Sequence, residues 1–417
     1  MYNRPKGTKD IIPAEVGKWQ YVENVERDIL ASANFQEIRT PMFEHTELFL
    51  RSVGETTDIV NKEMYTFTDK GGRSLTLRPE GTAGIVRAFI ENGLDNEALP
   101  LKLFMFTSCF RYERPQAGRL REHHQCSIEA FGSASAKMDV EVIASIKRIF
   151  DALHFSNYQL HINSIGCKHC RQNYIQALHE YYKDKLPNMC EDCKQRYEKN
   201  PLRLLDCKNE TCQAYKQQAP KTIDYLCDDC KQHFQELQEY LTLAGVPYVV
   251  NPNIVRGLDY YNRTVFEFLA KENGAMGTIC GGGRYDGLIE SMGGKSIPSV
   301  GAGIGFERLL GLLEKENIVL STNTHVDVYV ACMQKEYEKE VMSFVYFLRQ
   351  QGVRVEYDFM QRSLKAELKY ANKIGAKYLI VYGENEATTK NFVVKEMATG
   401  KEIQATQEQL IKILKEK

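Results

Sequence analysis

Apolar residues at Val16, Trp19, Val22, Val25 and Ile29 recur every three or four positions, and this spacing predicts a helix over 14–34. From 35 to 48 the pattern turns extended, and Pro41 rules out a helix there. Short β-rich runs follow at 74–77, 102–112 and 126–132. Several alternating strands of this kind predict an antiparallel sheet with helices at its edges. A further amphipathic helix is expected over 139–153 and a further strand over 158–165.

The pattern then changes. Eight of the twelve cysteines lie between 167 and 230, among many Lys, Gln, Asn and Asp residues, which marks an inserted module over 166–245. Sheet-like sequence resumes at Tyr248 and runs through Cys280 to a helix beginning near Phe306. The first fold unit is thus expected in two parts, 1–165 and 246–320. After a polar linker at 317–324 the order becomes strand, helix, strand, helix, strand, hairpin and helix. That order predicts a separate α/β domain over 325–417 with a partly parallel sheet.

Composition narrows the setting. With 43% hydrophobic and 26% charged residues, the chain has globular proportions. A net charge of −1 argues against a DNA-packaging role, because any nucleic acid must be met by local basic patches. No stretch approaches the roughly 18 apolar residues of a membrane span, and residues 1–17 lack the apolar core of a signal peptide. A cytoplasmic protein without a membrane partner is expected, with its cysteines reduced or bound to metal.

Two regions could carry chemistry. Residues 104–132 read FMFTSCFRYERPQAGRLREHHQCSIEAFG, two strands flanking a loop with Arg111, Arg114, Arg119 and Arg121. Arginine matches phosphate by permanent charge and a planar donor fork, and Arg111 lies at a strand end where the backbone can aim it. Charge alone also allows a solvated basic hairpin. The second region comprises VRGLDYY at 255–261, CGGGRYDGL at 280–288 and SVGAGIGFERLL at 299–310. Glycines at 281–283, 301, 303 and 305 are costly in strands unless a backbone or a ligand must approach closely. Arg308 follows them at a helix start, where a flat cation beside an open floor suits an adenine ring. None of these runs is a P-loop or a complete dinucleotide fingerprint.

The helix-then-proline segment at 14–41, the FRYER hairpin and GIGFERL resemble the three signature motifs of class II aminoacyl-tRNA synthetases. RPKGTKDIIP, LTLRPEGT, FRYERPQAGRLREHHQ, VRGLDYYNRTVFEF and CGGGRYDGL further resemble histidyl-tRNA synthetases. Only the cysteine insert falls outside the likeness. The resemblance implies an α+β catalytic domain built on an antiparallel sheet and a C-terminal α/β anticodon-binding domain. It also implies ATP-dependent activation of L-histidine to histidyl-adenylate, then transfer to the 3′ end of tRNA(His), by a homodimer paired through 14–48. Glu80, Thr82 and Gln125 would hold the α-amino group of histidine, with Gly81 in the same binding set. Glu129 and Tyr261 would read the imidazole, with Tyr260 beside it. Arg111 and Arg256 would grip the α-phosphate and the attacking carboxylate as catalytic cations. Arg119, His123 and Arg308 would complete the ATP site with Arg111, Arg308 on the adenine, and Mg²⁺ would bridge the outer phosphates.

Two features depart from the family pattern. His123 stands where the family commonly has a phenylalanine stacked on adenine, and imidazole can also stack. His123, His124 and Cys126 suggest a metal cluster, a reading we reject because side chains alternate along a strand. The insert contains Cys167-x2-Cys170, Cys190-x2-Cys193, Cys207-x4-Cys212 and Cys227-x2-Cys230. Four such pairs supply one or two tetrahedral thiolate sites, for which zinc is the expected ion. The alternative is a set of incidental thiols. Two rival functions share parts of this pattern: a non-catalytic regulatory subunit of ATP phosphoribosyltransferase, and a zinc-dependent nucleic-acid-binding protein. The first typically lacks the anticodon domain, and the second leaves the five sequence blocks unused.

Overall fold

Pro13 opens the first helix, Pro13–Ser32, at a position where its missing N–H would have no partner. Trp19, Val22 and Leu30 on its inner face are buried. The computed structural model describes residues 2–54, 57, 59–116, 118–207, 209–254, 258–272, 275–320 and 326–415. Contacts divide the chain into two units, Met1–Ser321 and Thr322–Lys417.

In the first unit the strands are β1 (Gln36–Glu37), β2 (Phe43–His45), β3 (Tyr65–Thr68), β4 (Ser74–Leu77), β5 (Leu101–Phe110) and β6 (Glu122–Phe131). They continue with β7 (Tyr158–Ser164), β8 (Val249–Val250), β9 (Asn262–Glu272), β10 (Ala275–Arg284) and β11 (Ser299–Gly305). Eight of them form one sheet in the order β1-β5-β6-β11-β10-β9-β7-β8, and β2-β4-β3 form a small second sheet. All neighbours in the large sheet are antiparallel except the short edge pairs β1–β5 and β7–β8. The expected antiparallel sheet is therefore present. The region expected to be extended to residue 48 turns helical at Thr46, in the helix Thr46–Val53.

The two faces of this sheet are unequal. One packs Phe104, Ile128, Ile162, Phe266 and Ile304 against helices Pro13–Ser32, Ala136–Ala152, Asp228–Leu243 and Phe306–Lys315 as the main core. On the other face, helix Thr82–Glu91 buries Ile85, Val86 and Phe89 against Leu103, Phe131, Val265 and Tyr285. Beyond that helix the second face carries glycines, described below.

Among the described residues between β7 and β8 the chain runs through four α-helices, Lys168–Tyr182, Glu191–Lys199, Glu210–Lys216 and Asp228–Leu243, with short 3-10 helices such as Pro201–Asp206 between them. A separate small core of Tyr174, Leu178, Tyr182, Met189 and Leu204 holds the part before Asp228, whereas helix Asp228–Leu243 packs in the main core.

The second unit has strands β12 (Val328–Cys332), β13 (Val355–Tyr357), β14 (Tyr378–Tyr382), β15 (Asn391–Glu396) and β16 (Glu402–Thr406). Their order is β13-β12-β14-β15-β16, with the first three parallel and the last two antiparallel. Helices Glu338–Gln350, Leu364–Lys373 and Gln407–Lys415 pack on it. Helix Glu384–Thr389 is an element the sequence pattern did not announce.

Candidate active site and metal centres

Strand pairing sets the site. Opposite residues in an antiparallel ladder share a face. Glu129 on β6 pairs with Gly301 on β11, and Gly301 pairs with Gly283 on β10. One step along, Ser127 pairs with Gly303 and Gly303 with Gly281. One face of two adjacent central strands is therefore floored by glycine. At Gly301 a Cβ would overlap the Glu129 carboxylate, whereas at Gly303 and Gly305 it would make only ordinary contacts. The first glycine makes room for a protein side chain, and the other two leave the floor low for a ligand.

Along β6 the same face presents His123, Gln125, Ser127 and Glu129. Glu129 is fully buried. Its carboxylate accepts a hydrogen bond from Thr82 Oγ1 at 2.6 Å and another from the hydroxyl of Tyr285. Burial raises its pKa to about 8; the Thr82 and Tyr285 bonds oppose the rise and the Glu80 charge adds to it. Glu80 accepts from the backbone N–H groups of Thr82 and Ala83, both at 2.7 Å, at the start of helix Thr82–Glu91. Burial also lifts Glu80, against those hydrogen bonds and the Arg111 charge. Gln125 donates to Ser127 Oγ at 2.8 Å. Gly81 is required beneath this group, because a Cβ there would run into Ser127 Oγ. Tyr260 stands 4.6 Å from Tyr261 and 5.5 Å from Tyr285, ring centre to ring centre. Burial raises the Tyr260 hydroxyl, and the Tyr261, Glu80 and Glu129 charges act in the same direction.

At the other end of β6 lies a cleft of about 990 Å³, lined by Arg111, Arg119, His123, Gly305 and Arg308. Arg111 follows β5 directly and is oriented by donating from Nε to the Pro79 carbonyl at 2.8 Å. Arg308 begins the helix after β11 and donates to the Thr278 carbonyl at 3.0 Å. Arg119 pairs with Glu113 at 3.2 Å on the loop between β5 and β6. His123 is pushed down to about 3 by burial and by Arg111 and His124, so it is a neutral ring at physiological pH. His124 faces the opposite way, where its Nδ1 lies 2.7 Å from Glu307. The N-terminal segment supports the loop, since Arg121 N–H donates to the Gly7 carbonyl at 2.8 Å.

The structure thus brings Glu80, Gly81, Thr82, Gln125, Glu129, Tyr260 and Tyr261 into one neighbourhood, and Arg111, Arg119, His123 and Arg308 into the adjoining cleft. Arg256 lies outside the described residues. Sequence reasoning missed Tyr285, the fully buried partner of Glu129, and Ser127, the partner of Gln125. Tyr285 sits two residues after Gly283 in CGGGRYDGL, but nothing in that spacing says where its hydroxyl points. A buried network also escaped notice. Arg284 Nε lies 2.7 Å from Asp139, which accepts from Thr264 at 2.6 Å and lies 2.9 Å from His233 Nε2. It ties the glycine strand β10 to helices Ala136–Ala152 and Asp228–Leu243.

The eight insert cysteines sort into two groups. Cys167, Cys170, Cys227 and Cys230 form one, and Cys190, Cys193, Cys207 and Cys212 the other, with all sulfurs of a group within 4.8 Å of one another. Sulfur–sulfur separations include 3.6 Å for Cys167–Cys170, 3.9 Å for Cys167–Cys227 and 3.7 Å for Cys190–Cys207. A tetrahedral ion with metal–sulfur bonds of about 2.3 Å needs sulfurs about 3.8 Å apart. Backbone N–H groups of Cys227, Cys190 and Asn209 approach Cys170, Cys212 and Cys207 sulfurs at 3.1, 3.4 and 3.4 Å. Such donors stabilise thiolate ligands. Both groups fit a metal ion.

An antiparallel sheet floored by glycine, an arginine-bearing hairpin across it and an arginine opening the helix after the last strand are the working parts of a class II aminoacyl-tRNA synthetase. The comparisons with known proteins give the branch. A family model described as "Histidyl-tRNA synthetase" matches residues 7–309, and one described as "Anticodon binding domain" matches 327–417. The histidine–tRNA ligase of Thermoanaerobacter pseudethanolicus is 54% identical over 400 residues, covering 96% of each chain. That of Caldanaerobacter subterraneus subsp. tengcongensis is 53% identical over 411 residues, covering 99% of each. A crystal structure of apo histidyl-tRNA synthetase from S. aureus superposes with a TM-score of 0.85 at 35% identity, over 99% of this chain and 100% of that one. The chain belongs to the histidyl-tRNA synthetase family, whose members are aminoacyl-tRNA ligases. Among the described residues no helix is long and apolar enough to cross a membrane.

Proposed function

We propose that this chain is a histidine–tRNA ligase, activating L-histidine with ATP and transferring it to tRNA(His). One observation carries the reading. A single face of β6 runs from His123 in the arginine-lined cleft to the fully buried Glu129 in the tyrosine pocket, beside the glycine floor of β11. Six residues of strand span roughly 20 Å, room for an amino acid and a nucleotide end to end.

The chemistry follows from the residues. Glu129 and the tyrosines bind imidazole, because a carboxylate and phenols read ring nitrogens that an apolar analogue would leave unpaired. Glu80, Gly81, Thr82 and Gln125 take the α-ammonium. Arg111 and Arg256 hold the carboxylate and α-phosphate in line, where negative charge grows as the carboxylate attacks phosphorus and pyrophosphate departs. His123 and Arg308 sandwich adenine, and Arg119 meets the outer phosphates. Mg²⁺ enters with ATP as the counter-ion of those phosphates. A ribose hydroxyl of the terminal tRNA adenosine then attacks the adenylate carbonyl and releases AMP. The unit matched as anticodon binding holds the other end of the tRNA. The protein acts in the cytoplasm as a homodimer paired through 14–48, with 166–245 as a module inserted in the catalytic domain.

Each cysteine group holds one zinc ion as a structural cross-link with no part in the chemistry. Metal analysis of the purified chain is expected to give two zinc ions per chain; a zinc-free protein with eight titratable insert thiols and undiminished thermal stability would exclude this. The activity test is ATP–pyrophosphate exchange, expected to depend on histidine and on no other amino acid. Histidine binding without exchange would instead favour a regulatory relative.

A further inference from the structure

Each cysteine group sends one arginine to the same turn of the catalytic domain, Leu258–Tyr261, which carries both pocket tyrosines. Arg171 directly follows Cys170 on the helix capped by Cys167. Its Nη2 donates to the main-chain carbonyl of Tyr261 at 2.5 Å. Arg203 lies in the short helix Pro201–Asp206 that delivers Cys207 to the second group. Its Nη2 meets Asp259 Oδ1 at 3.2 Å, with the arginine side chain only 12% exposed. The Asp259 charge also acts on Arg171. On its far side Asp259 rests against the end of helix Thr46–Val53, its N–H donating to the Val53 carbonyl at 3.3 Å. The root of the insert is stitched to the same stretch, since Arg263 N–H donates to the Gly166 carbonyl at 2.9 Å. Beyond the turn the chain of contacts runs from Tyr260 to Tyr285 and from Tyr285 to Glu129.

We propose that Arg171 and Arg203 are positioning residues for histidine: each is set by one cysteine group, and together they hold the 258–261 turn so that Tyr260 and Tyr261 meet the imidazole. Arg171 stands off the substrate in this scheme, whereas Arg203 also lines the cleft assigned to ATP. The turn is a short connection beside the pocket, and the insert reaches both its Tyr261 carbonyl and its Asp259 carboxylate. An ion that locks Cys167 and Cys170 fixes the first turn of the helix bearing Arg171, and one that joins Cys193 to Cys207 fixes the short segment bearing Arg203. Metal occupancy therefore sets histidine affinity from outside the pocket. This rests on the ligase reading for the identity of the ligand and on the zinc reading for the ion.

The test is isothermal titration of L-histidine into the full-length, metal-loaded protein, with KM for histidine and for ATP measured separately by exchange. Arg203→Ala and Asp259→Asn are each expected to weaken histidine about tenfold or more, with the double variant no weaker than the worse single one. Arg203→Lys should recover part of the loss, and KM for ATP should stay within about threefold in the Asp259 and Arg171 variants, whose side chains do not line the ATP cleft. Arg171→Lys serves where a smaller residue unfolds the insert, and its expected direction is the same. Chelation that removes the metal should lower histidine affinity to the level of the arginine variants. If the arginine variants bind histidine within twofold of the parent, or if KM for ATP moves instead in the Asp259 and Arg171 variants, the positioning roles are wrong. If the variants behave as expected in a chain that holds no metal, the positioning roles stand and the zinc reading falls. A parent protein that binds no histidine overturns the ligase reading instead.

Discussion

At pH 7 the Glu129 carboxyl is largely protonated, since burial lifts it to about 8 and Glu80 adds to the effect. An unfolded carboxyl titrates near about 4.3, so between those two values the folded chain holds one proton more than the unfolded chain. Stability from this group is complete below the lower value and falls as pH rises toward 8. A ligand with an ammonium group and a ring N–H favours the ionised form. Histidine is therefore expected to bind about fivefold more tightly at pH 8 than at pH 7, because one proton must leave, with only about a further twofold from Glu129 above that. Glu129→Gln keeps the shape, removes the titration and should cost roughly 10- to 100-fold in affinity. It should also raise the melting temperature of the ligand-free protein above pH 8, where the parent buries a charge. Calorimetric titration of parent and variant across pH 6.5–9 checks the affinities, and thermal denaturation over the same range checks the melting temperatures. A flat profile in the parent would remove Glu129 from contact with the ligand.

Two glycines of one strand make an element-scale contrast. Gly301 and Gly303 are two residues apart on one face of β11, yet a methyl group has opposite consequences at each. At Gly301 it collides with Glu129 and approaches the Ile128 carbonyl at 2.7 Å, so Gly301→Ala should destabilise the fold by about 1–3 kcal/mol. At Gly303 it meets Gln125 at an ordinary 3.5 Å. Gly303→Ala should thus melt within a few degrees of the parent yet lose exchange activity, because the methyl stands where substrate lies. Thermal denaturation beside exchange kinetics separates the two; full activity in Gly303→Ala would place the ligand elsewhere.

Much at this scale was legible beforehand. The period of the first helix, the strands around Arg111 and Glu129, and the glycine runs all declare themselves by spacing, because each serves a continuous face. Helix Thr46–Val53 did not, being short and following an extended stretch directly. The division of the cysteines was hidden for a different reason. Spacing announces pairs, but the first pair joins the fourth across some sixty residues while the second joins the third. Only the packing of four helices decides that partition. Tyr285 was unreadable on similar grounds, since its bond to Glu129 spans the sheet between residues far apart in sequence.

For the whole molecule, the two units have separate cores. Val328, Val330, Val345, Leu348, Ile380 and Phe392 are buried within the second unit, and its five-stranded sheet shares no strand with the first. The residues proposed for adenylate formation that the structure describes all belong to the first unit, so the two steps of the reaction should separate on truncation. A fragment ending at residue 321 is expected to fold and to retain histidine-dependent pyrophosphate exchange within about tenfold. Charging of tRNA(His) should fall by about 100-fold or more, because two linked sites on one ligand raise each other's effective concentration by that order and the fragment keeps only one. The loss should appear mainly in KM for tRNA, with KM for histidine unchanged. If the fragment folds but exchange collapses, the second unit supplies more than a grip on tRNA; if charging persists undiminished, the grip lies within the first 321 residues.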